Sequence, residues 1–313
     1  MIAVTGAAGF IGYNIVRRLN LMGYKDLILL DDKKKYKEPK KFLDIEYKEY
    51  RHYADLNNLK DIECIFHQGA CSNTMEYDKD YMMNINYEYS KDIFSIAKSN
   101  KSKFIYASSA SVYGLNKNSE EISENESPLN IYAESKLLFD RYIMDQDYPA
   151  VGLRYFNVYG NGEENKGKMA SMAYKMNKEY LESKKISLFK GTGGYGDGEQ
   201  ERDFIYIEDV VSINMFFMEN SFHDIYNVGT GKAEPFNKIA DNIFNYYEDK
   251  DCNFNYIDMP EHLIPKYQNF TQANIEKLRE AGYNYDFFNL DEGIKNYLND
   301  LKTSSTWISA KQL

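Results

Sequence analysis

Short apolar runs alternate with longer amphipathic segments through the first half of the chain, a glycine-rich turn follows the first run directly, and the pattern loosens after residue 160. Together these features predict an α/β fold: a doubly wound parallel sheet built from βαβ units, with a smaller mixed α/β C-terminal domain. Strands are predicted at 2–5, 27–30, 64–66, 104–107 and 151–156, where apolar residues cluster in short runs. Between the first two, Ile11, Ile15, Val16 and Leu19 recur at helical spacing, which predicts a helix over 10–21 closed by Gly23. Residues 33–41, rich in lysine, and 115–130, rich in Ser, Asn and Glu and containing Pro128, read as loops. Residues 170–183 and 290–301 read as helices, and the glycines between 191 and 198 as a flexible loop. The predicted domains are 1–160, with 202–231 returning to it, then 161–302, then a mobile tail at 303–313 that lacks periodicity.

The chain's 313 residues suffice for one large domain or two of about 150 residues each. With 38 basic and 48 acidic residues the net charge is −10, which argues against broad contact with nucleic-acid phosphates. No apolar stretch approaches a membrane span, and no basic leader precedes the first strand, so neither a membrane partner nor secretion is expected. Cys64, Cys71 and Cys252 form neither metal-ligand spacing nor an even disulfide framework. A reducing compartment, the cytoplasm, and no metal are therefore expected.

Residues Thr5-Gly6-Ala7-Ala8-Gly9-Phe10-Ile11-Gly12 end the first strand and open the first helix. In that position Gly6, Gly9 and Gly12 permit a tight turn, and the helix N-terminus offers its N–H groups to a pyrophosphate. Asp31 ends the second strand 19 residues after Gly12, where a carboxylate accepts ribose hydroxyls. This is the pattern of a Rossmann domain that binds a dinucleotide. Asp31 would repel a 2′-phosphate, whereas Lys33, Lys34, Lys35, Lys40 and Lys41 would pair with one, so the residues leave NAD and NADP open. Asp55 is a candidate for the adenine edge, and Gln68, Gly69 and Ala70 place small residues beside the cofactor.

Tyr132 and Lys136 stand four apart at the start of a helical run, so they share one face. A phenol titrates near 10, and a neighbouring ammonium together with a cationic nicotinamide is expected to lower it toward use as a base. Ser109 follows the strand at 104–107 and can hydrogen-bond the substrate oxygen.

In this order the glycine turn, Asp31, Ser109 and the Tyr132/Lys136 pair resemble an extended short-chain dehydrogenase/reductase. Residues 154–160, 202–210 and 226–231 extend the resemblance to its nucleotide-sugar enzymes. His67-Gln68-Gly69-Ala70-Cys71-Ser72, Lys166-Gly167-Lys168-Met169-Ala170-Ser171-Met172 and the stretch Tyr267 to Ala273 are similar to the ADP-glyceromanno-heptose 6-epimerase group. That resemblance implies a nucleotide-sugar epimerase of the cytoplasm, forming a homo-oligomer, that inverts C6 through a transient ketone in the synthesis of lipopolysaccharide core precursors. It implies Lys166 as a second base, with Tyr132, Lys136 and Ser109 the other catalytic residues. It implies cofactor contacts from Phe10, Ile11, Asp32, Lys41, Ser72, Asn86, Val158 and Lys166, and it tips the cofactor toward NADP, with NAD the alternative. Ser109, Asn157, Lys168, Lys175, Phe189, Lys190, Gly191, Arg202 and Tyr267 would contact the nucleotide sugar.

Two departures bear on the substrate: residues 190–201 form a longer, more glycine-rich loop than the group's pattern, and Lys168 stands where a small serine is expected. A 4-epimerase and a sugar dehydrogenase share the dinucleotide and Tyr/Lys residues and stay open as alternatives. A 4,6-dehydratase should carry Asp-Glu where Ala110-Ser111 stand, and a noncatalytic dinucleotide sensor should lack Tyr132 or Lys136.

Overall fold

The computed structural model describes residues 1–32 and 45–310, with side chains to Thr303. Its strands are β1 (Ile2–Thr5), β2 (Leu27–Asp31), β3 (Glu49–His52), β4 (Cys64–His67), β5 (Lys103–Ser109), β6 (Val151–Tyr155) and β7 (Asn157–Tyr159), then β8 (Ile186–Phe189), β9 (Glu201–Tyr206), β10 (Asp224–Val228), β11 (Ala233–Pro235), β12 (Phe254–Ile257) and β13 (Phe270–Thr271). Its helices are α1 (Phe10–Leu21), α2 (Lys79–Met83), α3 (Tyr89–Asn100), α4 (Ile131–Met144), α5 (Met172–Ser183), α6 (Ile207–Glu219), α7 (Phe236–Tyr246), α8 (Glu276–Glu280) and α9 (Leu290–Ala310). The predicted helix over 10–21 matches α1, and Gly23 follows it at φ +90°.

Seven strands form one parallel sheet in the order β10-β6-β5-β4-β1-β2-β3, the doubly wound Rossmann arrangement. The reversal at β1/β4 opens a crevice at the carboxyl ends of these strands. Both faces are covered, which explains the unbroken apolar run of β2: Leu27 and Leu29 enter one core cluster, Ile28 and Leu30 the other. The first cluster includes Ile15 and Val16 of α1 with Val210 and Ile213 of α6; the second includes Phe94 of α3 and Ile143 of α4. Of the stretch 202–231, β10 joins the large sheet at its edge, and α6 packs against α1. By contrast β9 centres a second sheet with β7, β11 and β13 beside the carboxyl ends, and β8 pairs with β12.

The helix expected to stop at residue 301 runs on to Ala310, so residues 303–310, read from sequence as part of a mobile tail, are helical. No glycine or proline lies between 301 and 310 to end it, and the missing apolar periodicity does not by itself break a helix. The lysine-rich stretch 33–41, with Lys41, lies outside the described residues.

One buried cluster ties the catalytic half together. Arg154 of β6 donates from Nε to Asp140 Oδ2 at 2.9 Å, from Nη2 to Glu126 Oε1 at 2.5 Å and from Nη1 to Tyr113 Oη at 3.0 Å. Asp140, on α4, also accepts from Tyr106 Oη at 3.0 Å and Ser108 Oγ at 2.8 Å, both on β5. Arg154 and Asp140 are each 1% exposed. Removing one partner leaves the other charge buried and unpaired, so Arg154→Leu is expected to lower stability by about 3–5 kcal/mol. Urea denaturation of the two proteins at pH 7 measures the difference.

Candidate active site

A cleft of about 1110 Å³ opens at the carboxyl ends of the large sheet, lined by the glycine turn, residues 68–74, Ser109, Tyr132, Lys136, 155–159, 165–166 and 169–173. Its floor depends on close backbone approach. Gly6 has φ +64°, and a Cβ on it would lie 2.7 Å from Gly69 Cα; a Cβ on Gly12 would run into the Gly6 carbonyl. Gly9 caps α1 without a side chain, and no acid occupies the first turn, so the helix N-terminus offers N–H groups to an anion.

The strand ends beneath this turn are joined by a chain of hydrogen bonds. The Gly69 amide donates to Thr5 Oγ1 at 2.9 Å, and Thr5 Oγ1 and His67 Nδ1 are 2.7 Å apart. On the other side of the ring, Nε2 lies 2.8 Å from Ser90 Oγ, which donates to the Asn86 carbonyl at 2.7 Å. Each hydroxyl has one proton, so His67 carries its proton on Nε2 and accepts at Nδ1. Burial pushes its pKa down to about 3, keeping the ring neutral. Asn86 sits in a π-helical turn, 84–88, and its amide clamps Cys71 through Oδ1 to N at 2.8 Å and Nδ2 to O at 3.0 Å.

At the chemical end, Ser109 ends β5 and accepts from the Ser111 amide at 3.2 Å, while Asn130 caps α4 and so sets Tyr132 and Lys136 in its first turns. Lys136 Nζ donates to the Ala107 carbonyl at 2.8 Å, and burial pushes its pKa down to about 8. The lowering expected for Tyr132 from this ammonium is not found. Burial raises the phenol above its usual value, opposed by a hydrogen bond with Ser109. Lys166 Nζ lies 5.1 Å from the Phe10 ring centroid, and burial lowers its ammonium, with Lys175 acting in the same direction and Glu163 against.

The cleft brings together Gly6, Gly9, Phe10, Ile11, Gly12, Asp31, Asp32, Gln68, Gly69, Ala70, Ser72, Ser109, Tyr132, Lys136, Asn157, Val158 and Lys166. Asp31 accepts from the amides of Ala8 at 3.0 Å and Asp32 at 2.7 Å. Other predicted residues lie off the lining. Asp55 is exposed past β3, whereas Tyr53 lies on the cleft wall. Asn86 is one layer back, acting through Cys71. Lys168 is exposed, and Lys175 Nζ donates to its carbonyl at 2.7 Å. Lys190 pairs with Asp258 at 3.0 Å, and the Gly191 amide donates to Asp197 at 2.8 Å. Arg202, Phe189 and Tyr267 form a group of their own: the guanidinium lies 5.1 Å from the Tyr267 ring and 5.4 Å from that of Phe236, which does line the cleft. The sequence reading missed Tyr53, Tyr81, Tyr89, Phe204 and Phe236, aromatic residues in no recognisable spacing.

The lining fits a nicotinamide dinucleotide. Besides the glycine approach, the Tyr89 hydroxyl is buried without a hydrogen-bond partner among the described residues, in a ring that lies on the same wall as Asp31. Comparison with known proteins agrees: residues 2–229 match the model of the NAD dependent epimerase/dehydratase family. The chain belongs to this family. A curated family relative, the ADP-L-glycero-D-manno-heptose-6-epimerase of Brachyspira hyodysenteriae, is 44% identical over 324 residues, covering 98% of this chain and all of that protein. The crystal structure of the Helicobacter pylori ADP-L-glycero-D-manno-heptose-6-epimerase matches with a TM-score of 0.83 at 34% identity, covering 96% of each chain. A UDP-N-acetylglucosamine 4-epimerase from Methanobrevibacter ruminantium, in complex with UDP-N-acetylmuramic acid, matches at 0.82 and 26% identity over 97% of this chain and 98% of that one.

The buried His67 gives the family fold here a definite acid sensitivity. Between pH 6.5 and about 3 the unfolded imidazole takes up a proton that the folded one refuses, so stability falls as pH falls through that window. From pH 7 to pH 5 the wild type is expected to lose about 2 kcal/mol more than His67→Gln. Urea denaturation of both proteins at the two pH values checks this.

Proposed function

We propose that the protein is a nucleotide-sugar epimerase that inverts C6 of an ADP-linked glycero-manno-heptose through a transient ketone, with tightly held NADP. The observation that carries the reading is that Tyr132 of α4 and Lys166 of the 164–169 turn, from separate elements, reach one cleft together with the glycine turn. The 44% identity to a heptose epimerase over 98% of the chain supports the choice of sugar. The homo-oligomer, the cytoplasmic address and the place in lipopolysaccharide precursor synthesis belong to the same reading.

A nicotinamide, when bound, supplies a hydride acceptor that also returns the hydride. The glycine turn and the N-terminus of α1 would hold the pyrophosphate, and Asp31 and Asp32 the adenosine ribose. Oxidation at C6 requires loss of the hydroxyl proton, and reduction from the other face requires its return. Ser109 already accepts from Ser111, which directs its own proton toward the Tyr132 phenol or the sugar oxygen. Tyr132 exchanges the proton in one substrate orientation and Lys166 in the other. Burial weakens the Lys166 ammonium as an acid-bound form and so favours the neutral amine that a base requires. Lys136, held to the Ala107 carbonyl, keeps a positive charge at the foot of α4. The match to a 4-epimerase fold favours a second reading, epimerisation at C4.

Preference for NADP rests on the resemblance and on the lysines that follow Asp31 in sequence, which outweigh the repulsion expected from Asp31 itself. The Asp31 carboxylate accepts from two backbone amides, which offsets the charge it would present to a 2′-phosphate, and Lys33 to Lys41 come next along the chain. Nucleotide extracted from the purified protein should be mainly NADP. Predominant NAD, with NADP binding unchanged in Lys41→Ala, would assign the preference to Asp31.

Tyr132→Phe removes only the ionisable oxygen, so it is expected to lower turnover at least ~100-fold with fold and cofactor affinity kept. Lys166→Met should stall full epimerisation while one C6 epimer still reaches the ketone at an undiminished rate. NMR of the sugar stereocentres with each candidate heptose, offered as single epimers, reads both variants and separates C6 from C4 chemistry. Near-normal turnover by Tyr132→Phe would overturn the mechanism.

A further inference from the structure

Lysine is a long side chain with freely rotating bonds, and a base acts well only when held close to its proton. The segment Glu164–Met169 that carries Lys166 offers little regularity of its own: it is a pair of 3-10 turns kinked at Gly167, which has φ +55°. Its ends are instead joined through one side chain. Glu163 has no exposed surface. Its Oε1 accepts from the Gly160 amide at 3.2 Å and the Ser171 hydroxyl at 2.8 Å, and its Oε2 accepts from the Ser171 amide at 2.5 Å. Within the turn, the Lys166 amide donates to the Glu163 carbonyl at 2.9 Å. The phenol of Tyr297, from α9, lies beside the same carboxylate.

We propose that Glu163 is a positioning residue for Lys166, cross-linking Gly160 to Ser171 so that the turn between them presents the lysine to the cleft. The assignment rests on the reading of Lys166 as the second base. Glu163 does more than close a loop, because its charge bears on the lysine: it favours the ammonium, while burial and Lys175, the other charged group facing Lys166, oppose it.

Glu163→Gln keeps the side-chain length and removes the charge, leaving an NH₂ group facing a backbone N–H donor. For C6 epimerisation, kcat is expected to fall at least about tenfold with KM changed less than about threefold. In a Lys166→Met background the same substitution should change the residual epimerisation rate less than about twofold, since no lysine remains to be placed. A readout independent of turnover is ¹³C-NMR titration of the reductively methylated protein, with the Lys166 signal assigned by its loss in Lys166→Met. That signal should titrate at lower pH in Glu163→Gln, the sign expected when an opposing charge is removed. If Glu163→Gln fails to fold by circular dichroism and melting, Ser171→Ala, which removes one donor to the carboxylate, takes its place in the kinetic cycle. Additive losses in the two backgrounds, or an unmoved Lys166 titration, overturn the assignment. Full epimerisation by Lys166→Met alone would instead overturn the reading of Lys166 as a base.

Discussion

An enclosed guanidinium is tolerated only where anions and acceptors surround it, and Arg154 meets that condition with groups from three parts of the chain. Asp140 comes from α4, Tyr113 from the turn after β5, and Glu126 from the loop before α4. Because Asp140 also accepts hydrogen bonds from the Tyr106 and Ser108 hydroxyls, one carboxylate fixes α4 against β5. The catalytic geometry follows from this. Ser109 is the neighbour of Ser108, and Lys136 lies one helical turn before Asp140, so the buried pair sets the spacing between Ser109, Tyr132 and Lys136.

The dinucleotide end is built on a different constraint, backbone approaching backbone. Gly6 and Gly69 come so close that a single added carbon would collide, and the Thr5–His67–Ser90 chain beneath them keeps β1, β4 and the start of α3 in register. Neutral His67 suits this task because a single tautomer both accepts and donates. The π-helical turn then aims Asn86 at Cys71, which holds the loop 69–74 over the cleft. Small residues and a neutral polar chain therefore shape one end, and buried charge the other.

Between these ends the lysines divide by their surroundings. Lys136 and Lys166 face the cleft, and both have their ammonium groups weakened by burial. Lys168, two residues on, is exposed, and Lys175 is occupied with the Lys168 carbonyl. The similar spacing of these residues in sequence gives no hint of the division; a kink at Gly167 turns Lys166 one way and Lys168 another.

Much of the fold was legible because periodicity and turn chemistry are local. Five of the seven strands of the large sheet, α1 with its closing glycine, the glycine fingerprint and the i, i+4 pair of Tyr132 and Lys136 all depend on neighbours within a few residues. The helical residues 303–310 were not, since a sequence pattern without an apolar face is silent on whether a helix continues. Tertiary structure alone decided the rest. That Asp55 stays outside the cleft while Tyr53 and Tyr89 form its wall depends on how β3 and α3 meet. That Arg202 lies against both Tyr267 and Phe236, with Phe189 edge-on to Tyr267, depends on β8, β9 and the 264–271 stretch converging from far apart in the chain. Even the direction of the Tyr132 shift was set this way, because burial is a property of the packed molecule, and here it outweighs the hydrogen bond with Ser109.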